Sequence, residues 1–375
     1  MNILLFILII MLTSLSLLIF GYPVTVFFLT RTRINKPWRK EKHFPKITVI
    51  IPSHSEDVFI KQKIVNTVCQ YPMGKMQIVV VYSNPVDKTL DTLMSFYKKS
   101  LISLIVEQHR TGKSNAINLA LSKPTGEICV ITDSDSLLGK SSLQRLVQAF
   151  ADDHVGATSG ELVYSSPIGL YETLFHKFKA ILKSYEARLD SCSYAPGELL
   201  AFRKALINRI PTDSICDDYY ILLDVRRRGY RCVYEPTAVV NETPPQTIKG
   251  QVARTRRVVA GTLVEATRFK SMFFNPRFGA FGLLIFPFYI IRIILIPLLT
   301  ILLIPSFSLV LLEVPTLLLP ILIFTLCLGF LSLFMGGARK LLNMSLYGFI
   351  LSIAVFLGLT DYLKKNFSPI WDECK

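Results

Sequence analysis

The N-terminal stretch of the chain has no charged break: from Ile3 to Thr30 every position is apolar or uncharged. As a helix such a run is long enough to cross roughly 30 Å of hydrocarbon. Arg31, Arg33, Lys36, Arg39, Lys40 and Lys42 follow at once. A cleaved signal peptide would carry its positive residues ahead of a shorter apolar run, with small residues at the cut. The order here is the reverse and predicts an uncleaved anchor over residues 1–30 and a basic linker over 31–44. Positive charge on the inner side then places the N-terminus outside and the next domain in the cytoplasm.

From 45 to 270 the pattern changes. Short β-branched runs (Ile47–Ile51, Gln77–Tyr82, Glu127–Thr132) alternate with amphipathic stretches such as Phe59–Gln70 and Leu90–Lys99. That alternation predicts βαβ units around a mainly parallel sheet, a Rossmann-like α/β domain. In such sheets ligands bind beyond the carboxyl ends of the strands, so the residues just after each strand matter most.

From about Phe278 the chain is apolar again, and 271–361 reads as a bundle of about three helices: Phe278–Ile304, Pro315–Phe334 and Leu341–Thr360. The uncharged link Pro305–Ser308 suits the outside, and Arg339 with Lys340 suits the cytoplasmic side. Glu313 falls in the second stretch, near its outer boundary. A short tail, 362–375, follows.

Composition adds two points. Of 375 residues, 51% are hydrophobic and 18% charged, more apolar material than a soluble domain needs. The formal net charge of +15 fits nucleic acid, anionic lipid headgroups or phosphate-bearing substrates. With no zinc spacing and no basic-aromatic interleaving, nucleic acid drops out, leaving membrane lipids and a phosphorylated substrate. The seven cysteines are odd in number and form no CxxC pair, which points to reduced thiols without an assigned role.

Four segments carry candidate chemistry. Asp133-Ser134-Asp135 puts two carboxylates beyond an apolar strand, a suitable hold for Mg²⁺ or Mn²⁺, although Asp and Ser also make ordinary turns. Asp217-Asp218 opens a helical run that ends near Gly229; the pair reads equally as a helix cap or as a general base. Arg254 and Arg257 share a helical face, fit either to fork onto phosphate or to dock on lipid headgroups. Gly112-Lys113 opens a helix whose N-terminus suits an anion, without being a Walker A loop.

Taken in order, these segments resemble family 2 glycosyltransferases of the GT-A fold, most of all the membrane-embedded subgroup that includes cellulose and hyaluronan synthases. The resemblance runs through ITVIIPSHSED with Pro52 and Glu56, IVVVYSNPVDKT, GKSNAIN, the DSD, PGELLAFRK, the DD before YYILL, and QVAR. It implies that Glu56 and Ser83 sit by the nucleotide base with Lys113 nearby. Asp133 would touch the nucleotide sugar, and Asp135 with Asp133 would hold the metal on the diphosphate. Asp218, beside Asp217, would be the general base of an inverting transfer. Gln251 and Arg254 match QxxRW, and Gly197-Glu198 fall at the acceptor loop. The implied donor is a nucleotide-diphosphate sugar, UDP-linked by preference, and the acceptor a glycan or lipid-linked hydroxyl.

The chain departs from the family at Tyr82-Ser83-Asn84 (usually Asp-Asp-Gly), at Asp217 (usually Glu), at Thr255 (usually Trp) and at Pro196-Gly197-Glu198. Thr255 removes an aromatic platform and favours one-step or short-chain transfer over a long polymer. A polyprenyl-phosphate glycosyltransferase is the alternative; that group generally lacks QxxR. A transporter or scaffold that only binds would show no turnover.

Overall fold

The computed structural model describes residues 3–32, 36–54, 57–83, 89–165, 170–313 and 336–368. Expectations that fall on Arg33, Glu56, Asn84, the span Pro315–Phe334 and the end of the tail therefore lie outside the described residues.

The N-terminal run is a continuous helix, Ile3–Arg31. A π turn at Leu17–Gly21 precedes Pro23. A proline has no N–H to give to the preceding turn, and a local widening absorbs that loss without ending the helix.

Among the described residues eight strands follow: β1 (Ile47–Ser53), β2 (Met76–Ser83), β3 (Ser103–Glu107), β4 (Ile128–Ile131), β5 (Leu137–Leu138), β6 (Val155–Tyr164), β7 (Leu200–Arg203) and β8 (Arg231–Glu242). They form one sheet in the order β3-β2-β1-β4-β7-β6-β8-β5. β1 pairs in parallel with β2 and β4, β2 with β3, and β6 with β8. β7 runs antiparallel to β4 and β6, and β5 to β8. The sheet is mostly parallel, as the βαβ alternation predicts.

Both faces of the central strands are covered, which is why β1, β2 and β4 read as unbroken apolar runs. Val49, Ile51, Ile78, Val80 and Val130 fill one core. Ile50, Val79, Val81 and Ile131, one position out of phase, fill the other together with Tyr22, Val26, Phe281 and Phe286. One face of the sheet is thus continuous with the long apolar helices.

Those helices are Phe281–Glu313 and Gly336–Lys364. Among the described residues three segments, Ile3–Arg31, Phe281–Glu313 and Leu346–Lys364 of the last helix, are long and apolar enough to cross a membrane. The link expected at Pro305–Ser308 is helical instead: Phe281–Glu313 continues through Pro297 and Pro305, and Glu313 is its last residue. Each proline removes one backbone bond, and the helix continues past both.

Candidate functional site

The carboxyl ends of β1, β2 and β4 lie side by side because the three strands are parallel, and the chain leaves them into one cavity of about 540 Å³. Pro52 and Ser53 close β1, Ser83 ends β2, and Asp133-Ser134-Asp135 follow β4; all line that cavity. Gly112 is the N-cap of the helix Lys113–Leu121 at φ 104°, a left-handed backbone that glycine accepts without strain, and it delivers Lys113 to the same space. From the far half of the sheet come Gly197 and Glu198, just before β7, and Glu242, the last residue of β8. Asp217 and Asp218 form the first turn of the helix Asp217–Arg227. Arg254 and Arg257 reach in from the helix Ile248–Arg268, whose start is capped by Thr247 Oγ1 accepting from Gly250 N at 3.0 Å.

The structure therefore gathers segments far apart in sequence into one site. Of the other expected members, Glu56 lies outside the described residues. Gln251 does not line the cavity; Gln246, on the segment between β8 and the arginine helix, takes a place on the rim instead.

The turn after β4 is held from behind. Lys63, fully buried, donates from Nζ to Thr132 Oγ1 and Ser136 O, both at 2.7 Å. Asn66 brackets Leu138, donating to its carbonyl at 2.9 Å and accepting from its N–H at 2.8 Å. Both residues sit on the helix Asp57–Val68, so Asp133 and Asp135 stand on a turn with little freedom.

Charge is dense inside. The lining carries six carboxylates against four Lys and Arg side chains. Lys113 Nζ contacts Asp133 Oδ1 at 2.6 Å. Burial alone would favour a neutral amine, but Asp133 and then Asp217 outweigh it and raise the Lys113 pKa. Arg254 Nη2 bridges Glu198 Oε1 at 2.9 Å and Glu242 Oε2 at 3.1 Å. Two carboxylates share one guanidinium, and burial followed by the Glu198 charge pushes Glu242 up to about 8.

The aspartate pair differs within itself. Asp217 is buried and its Oδ2 has no hydrogen-bond partner among the described residues. Asp218 is half-buried, its Oδ1 accepting from Tyr219 N at 2.7 Å. Burial and then the Asp217 charge push Asp218 up to about 7. A cap would keep a low pKa; a carboxyl poised near neutrality is what a general base needs. Gly197 keeps room here: a Cβ at that position would sit 3.3 Å from Lys113 Nζ and 3.4 Å from Asp218 Oδ2.

The donor set fits a hard divalent cation. Asp135 is exposed to the cavity, and partial burial followed by Asp133 and Glu198 raises its pKa, a crowding that a cation would relieve. Asp133 is already engaged by Lys113, so Asp135 is the freer oxygen ligand. Among the described residues no group of three or more His, Cys, Asp or Glu is arranged as a metal cage. The chain thus offers one or two carboxylates, as suits a Mg²⁺ or Mn²⁺ ion that takes its other oxygens from phosphates and water.

Gly261 lets the arginine helix approach the aspartate turn. A Cβ there would stand 2.6 Å from Cys216 Sγ and 3.1 Å from Ile215 Cβ. Gly261→Ala is expected to cost about 1–3 kcal/mol through overpacking. Thermal unfolding should register that as a drop of several degrees, and Cys216→Ala in the same chain should recover most of it.

Some residues in and around the site were not singled out from sequence. Ser83 Oγ donates to Glu107 Oε2 at 2.6 Å, and Glu107 Oε1 also accepts from Asn115 Nδ2 at 2.9 Å and from Thr111. His54 Nδ1 lies 2.8 Å from Ser83 O. Glu107 and Glu242 both end strands, so the strand-terminus rule applied to SLIVE and RCVYEPTAVVNE would have found them. Lys63 gave no such signal, being one lysine on an amphipathic helix.

Comparison with known proteins places this geometry. Residues 45–261 match the family model described as "Glycosyltransferase like family 2". Among curated relatives, Probable glycosyltransferase YdaM of Bacillus subtilis (strain 168) is 26% identical over 263 residues, 66% of this chain and 63% of the relative. Poly-beta-1,6-N-acetyl-D-glucosamine synthase of Staphylococcus aureus (strain COL) is 22% identical over 212 residues, 54% of this chain and 51% of the relative. The chain thus spans between about half and just under two thirds of the length of these relatives. Among solved structures, the mannosyltransferase PcManGT from Pyrobaculum calidifontis, in complex with GDP-Man and Mn²⁺, superposes with a TM-score of 0.73 at 24% identity. That match covers 96% of this chain and 100% of the other, and it establishes a shared GT-A fold.

Proposed function

Because the chain belongs to glycosyltransferase-like family 2, and is thereby a transferase enzyme, we propose that it moves a sugar, with inversion, from a nucleotide-diphosphate sugar to the hydroxyl of a glycan or lipid-linked acceptor at a membrane. The observation that carries this reading is the convergence of Asp133-Ser134-Asp135, Asp217-Asp218 and Arg254 with Arg257 around one cavity. That volume is of the size small-molecule sites occupy, roughly 300–1,000 Å³.

In this reading Asp218 takes the proton from the acceptor hydroxyl as its oxygen attacks the anomeric carbon from the face opposite the nucleotide. Asp217, buried beside it, keeps Asp218 basic near neutrality. Lys113, Arg254 and Arg257 supply fixed positive charge for the diphosphate that departs. Asp135, with Asp133, would hold Mg²⁺ or Mn²⁺, which when bound neutralises charge on that leaving group. Ser83, on the cavity wall and hydrogen-bonded to Glu107, lies where the resemblance puts the nucleotide base. The three apolar helices support a multi-pass protein of the cell membrane, and the basic residues after Arg31 support a cytoplasmic catalytic domain.

Nucleotide diphosphate release from the purified full chain, with a panel of UDP- and GDP-sugars and lipid or glycan acceptors, tests the proposal. Turnover of at least one donor is expected; none with any donor would overturn it. EDTA is expected to slow the reaction by about 100-fold, the scale of losing several kcal/mol of charge stabilisation, and Mn²⁺ or Mg²⁺ to restore it. An unchanged rate in EDTA would remove the metal from the mechanism.

A further inference from the structure

The helix Ile248–Arg268 carries two opposed sets of contacts. Toward the cavity it presents Arg254 and Arg257. Arg256, between them, grips the last apolar helix, Gly336–Lys364: its Nε donates to Asp361 Oδ2 at 2.9 Å and its Nη2 to Asp361 Oδ1 at 2.8 Å. Three turns further on, Thr267 Oγ1 and the Tyr362 hydroxyl are 2.6 Å apart. Between these contacts the helices cross with no room for a side chain. A Cβ on Gly358 would lie 2.8 Å from Arg256 O and 2.9 Å from Val259 Cβ.

The same seam is apolar. Val259 and Leu263 belong to the core against which Ile293 of one apolar helix and Val355 and Leu359 of the other pack, and together with Pro297 they line a small cavity there. On another flank Gly261 admits Ile215 and Cys216, the residues immediately ahead of the aspartate pair. The arginine helix is therefore wedged between the last apolar helix and the start of the Asp217–Arg227 helix, with close backbone approaches on both sides.

We propose that Asp361 is a positioning residue: through Arg256 it sets the register of the Ile248–Arg268 helix, and so the placement of Arg254 and Arg257 against Asp217 and Asp218. The last apolar helix thereby tunes donor binding in a cavity it does not line. The proposal rests on the nucleotide-sugar reading of that cavity. The pair is partly exposed, with side-chain exposures of 39% for Arg256 and 14% for Asp361, so water on the Arg256 side screens it and keeps its share of overall stability modest. Its two parallel bonds fix orientation, which is what a register contact requires. A contact of this kind couples sites by an amount that corresponds to about a 3- to 30-fold change in affinity.

The test uses the full chain in detergent or nanodiscs, with a donor that the unmodified protein turns over. Asp361→Asn is expected to raise donor KM about 3- to 30-fold, with kcat and melting temperature largely kept. The exchanged pair Arg256→Asp/Asp361→Arg should bring KM back toward its original value. A lowered melting temperature with unchanged donor KM would make the contact a mere anchor and overturn the proposal. If Asp361→Asn does not accumulate, Arg256→Lys keeps the charge and loses the fork. A raised donor KM in that variant supports the proposal, and an unchanged one overturns it. Absence of turnover in the unmodified chain would instead remove the nucleotide-sugar reading, so the two failures are distinct.

Discussion

Asp218→Asn is expected to lower kcat by roughly 10²–10⁴-fold, the usual contribution of a positioned general base, while donor binding and folding persist. Asparagine keeps the size of the side chain and can still accept from Tyr219 N, the bond Asp218 makes at 2.7 Å. What it loses is the ability to take a proton. Single-turnover rates and nucleotide binding, measured on the same preparation, separate the two effects. Full activity in this variant would end the assignment of Asp218 as base.

The same residue sets the expected pH profile. Its pKa of about 7 stands above the ordinary carboxylate value of 3.8, raised by burial and then by the Asp217 charge. Activity should therefore climb as pH rises through about 7 and flatten above it. The stability effect has the opposite sign. Between about pH 4 and 7 the folded chain keeps a proton that the unfolded chain releases, so this group's contribution to stability falls as pH rises across that window. Asp217→Asn removes the neighbouring charge, and the activity limb should move to lower pH.

Arg254→Met carries the second large effect. Arg254 lies between Glu198 and Glu242, and the side chains of both carboxylates are only 11% exposed. Removing the guanidinium leaves two buried acids without their cation, a change that costs about 3–5 kcal/mol when a buried pair is broken. Glu242 is already pushed up to about 8 by burial and by Glu198, so the loss is expected to shrink at low pH, where one of the pair takes a proton. Adding Glu242→Gln should recover much of the melting temperature without recovering transfer. An Arg254→Met protein as stable as the original at pH 8 would contradict this account.

Much of the fold was legible in the chain because its causes are local. The runs at Ile47–Ile51, Gln77–Tyr82 and Glu127–Thr132 are apolar at successive positions because both faces of those strands are buried, and they occur as β1, β2 and β4. Glycine before Lys113 marked a helix start that needs a left-handed backbone. The apolar runs near each end were long enough to identify as membrane-type helices by length alone. Local pattern failed at Pro305–Ser308, where a short uncharged stretch read as a link and the structure keeps one helix to Glu313. At Gln251 a motif match carried no information about which side chains line the cavity.

The sequence by itself determined the chemistry available: carboxylates after β4, a carboxylate pair at a helix start, arginines three apart, and apolar runs at both ends. Each of these depends on neighbours within a few residues. Only the tertiary structure decided which of them act together. Parallel strands bring Ser83 to Glu107 and align Asp133 with Lys113, and the far half of the sheet carries Glu198 and Glu242 to Arg254. Lys63 beneath the Asp133 turn and Asp361 on Arg256 are invisible to any local window, since 69 and 105 positions separate the partners. Burial, too, is a property of the packed chain: it turns Asp217-Asp218 from an ordinary helix start into a pair whose second member is poised near pH 7.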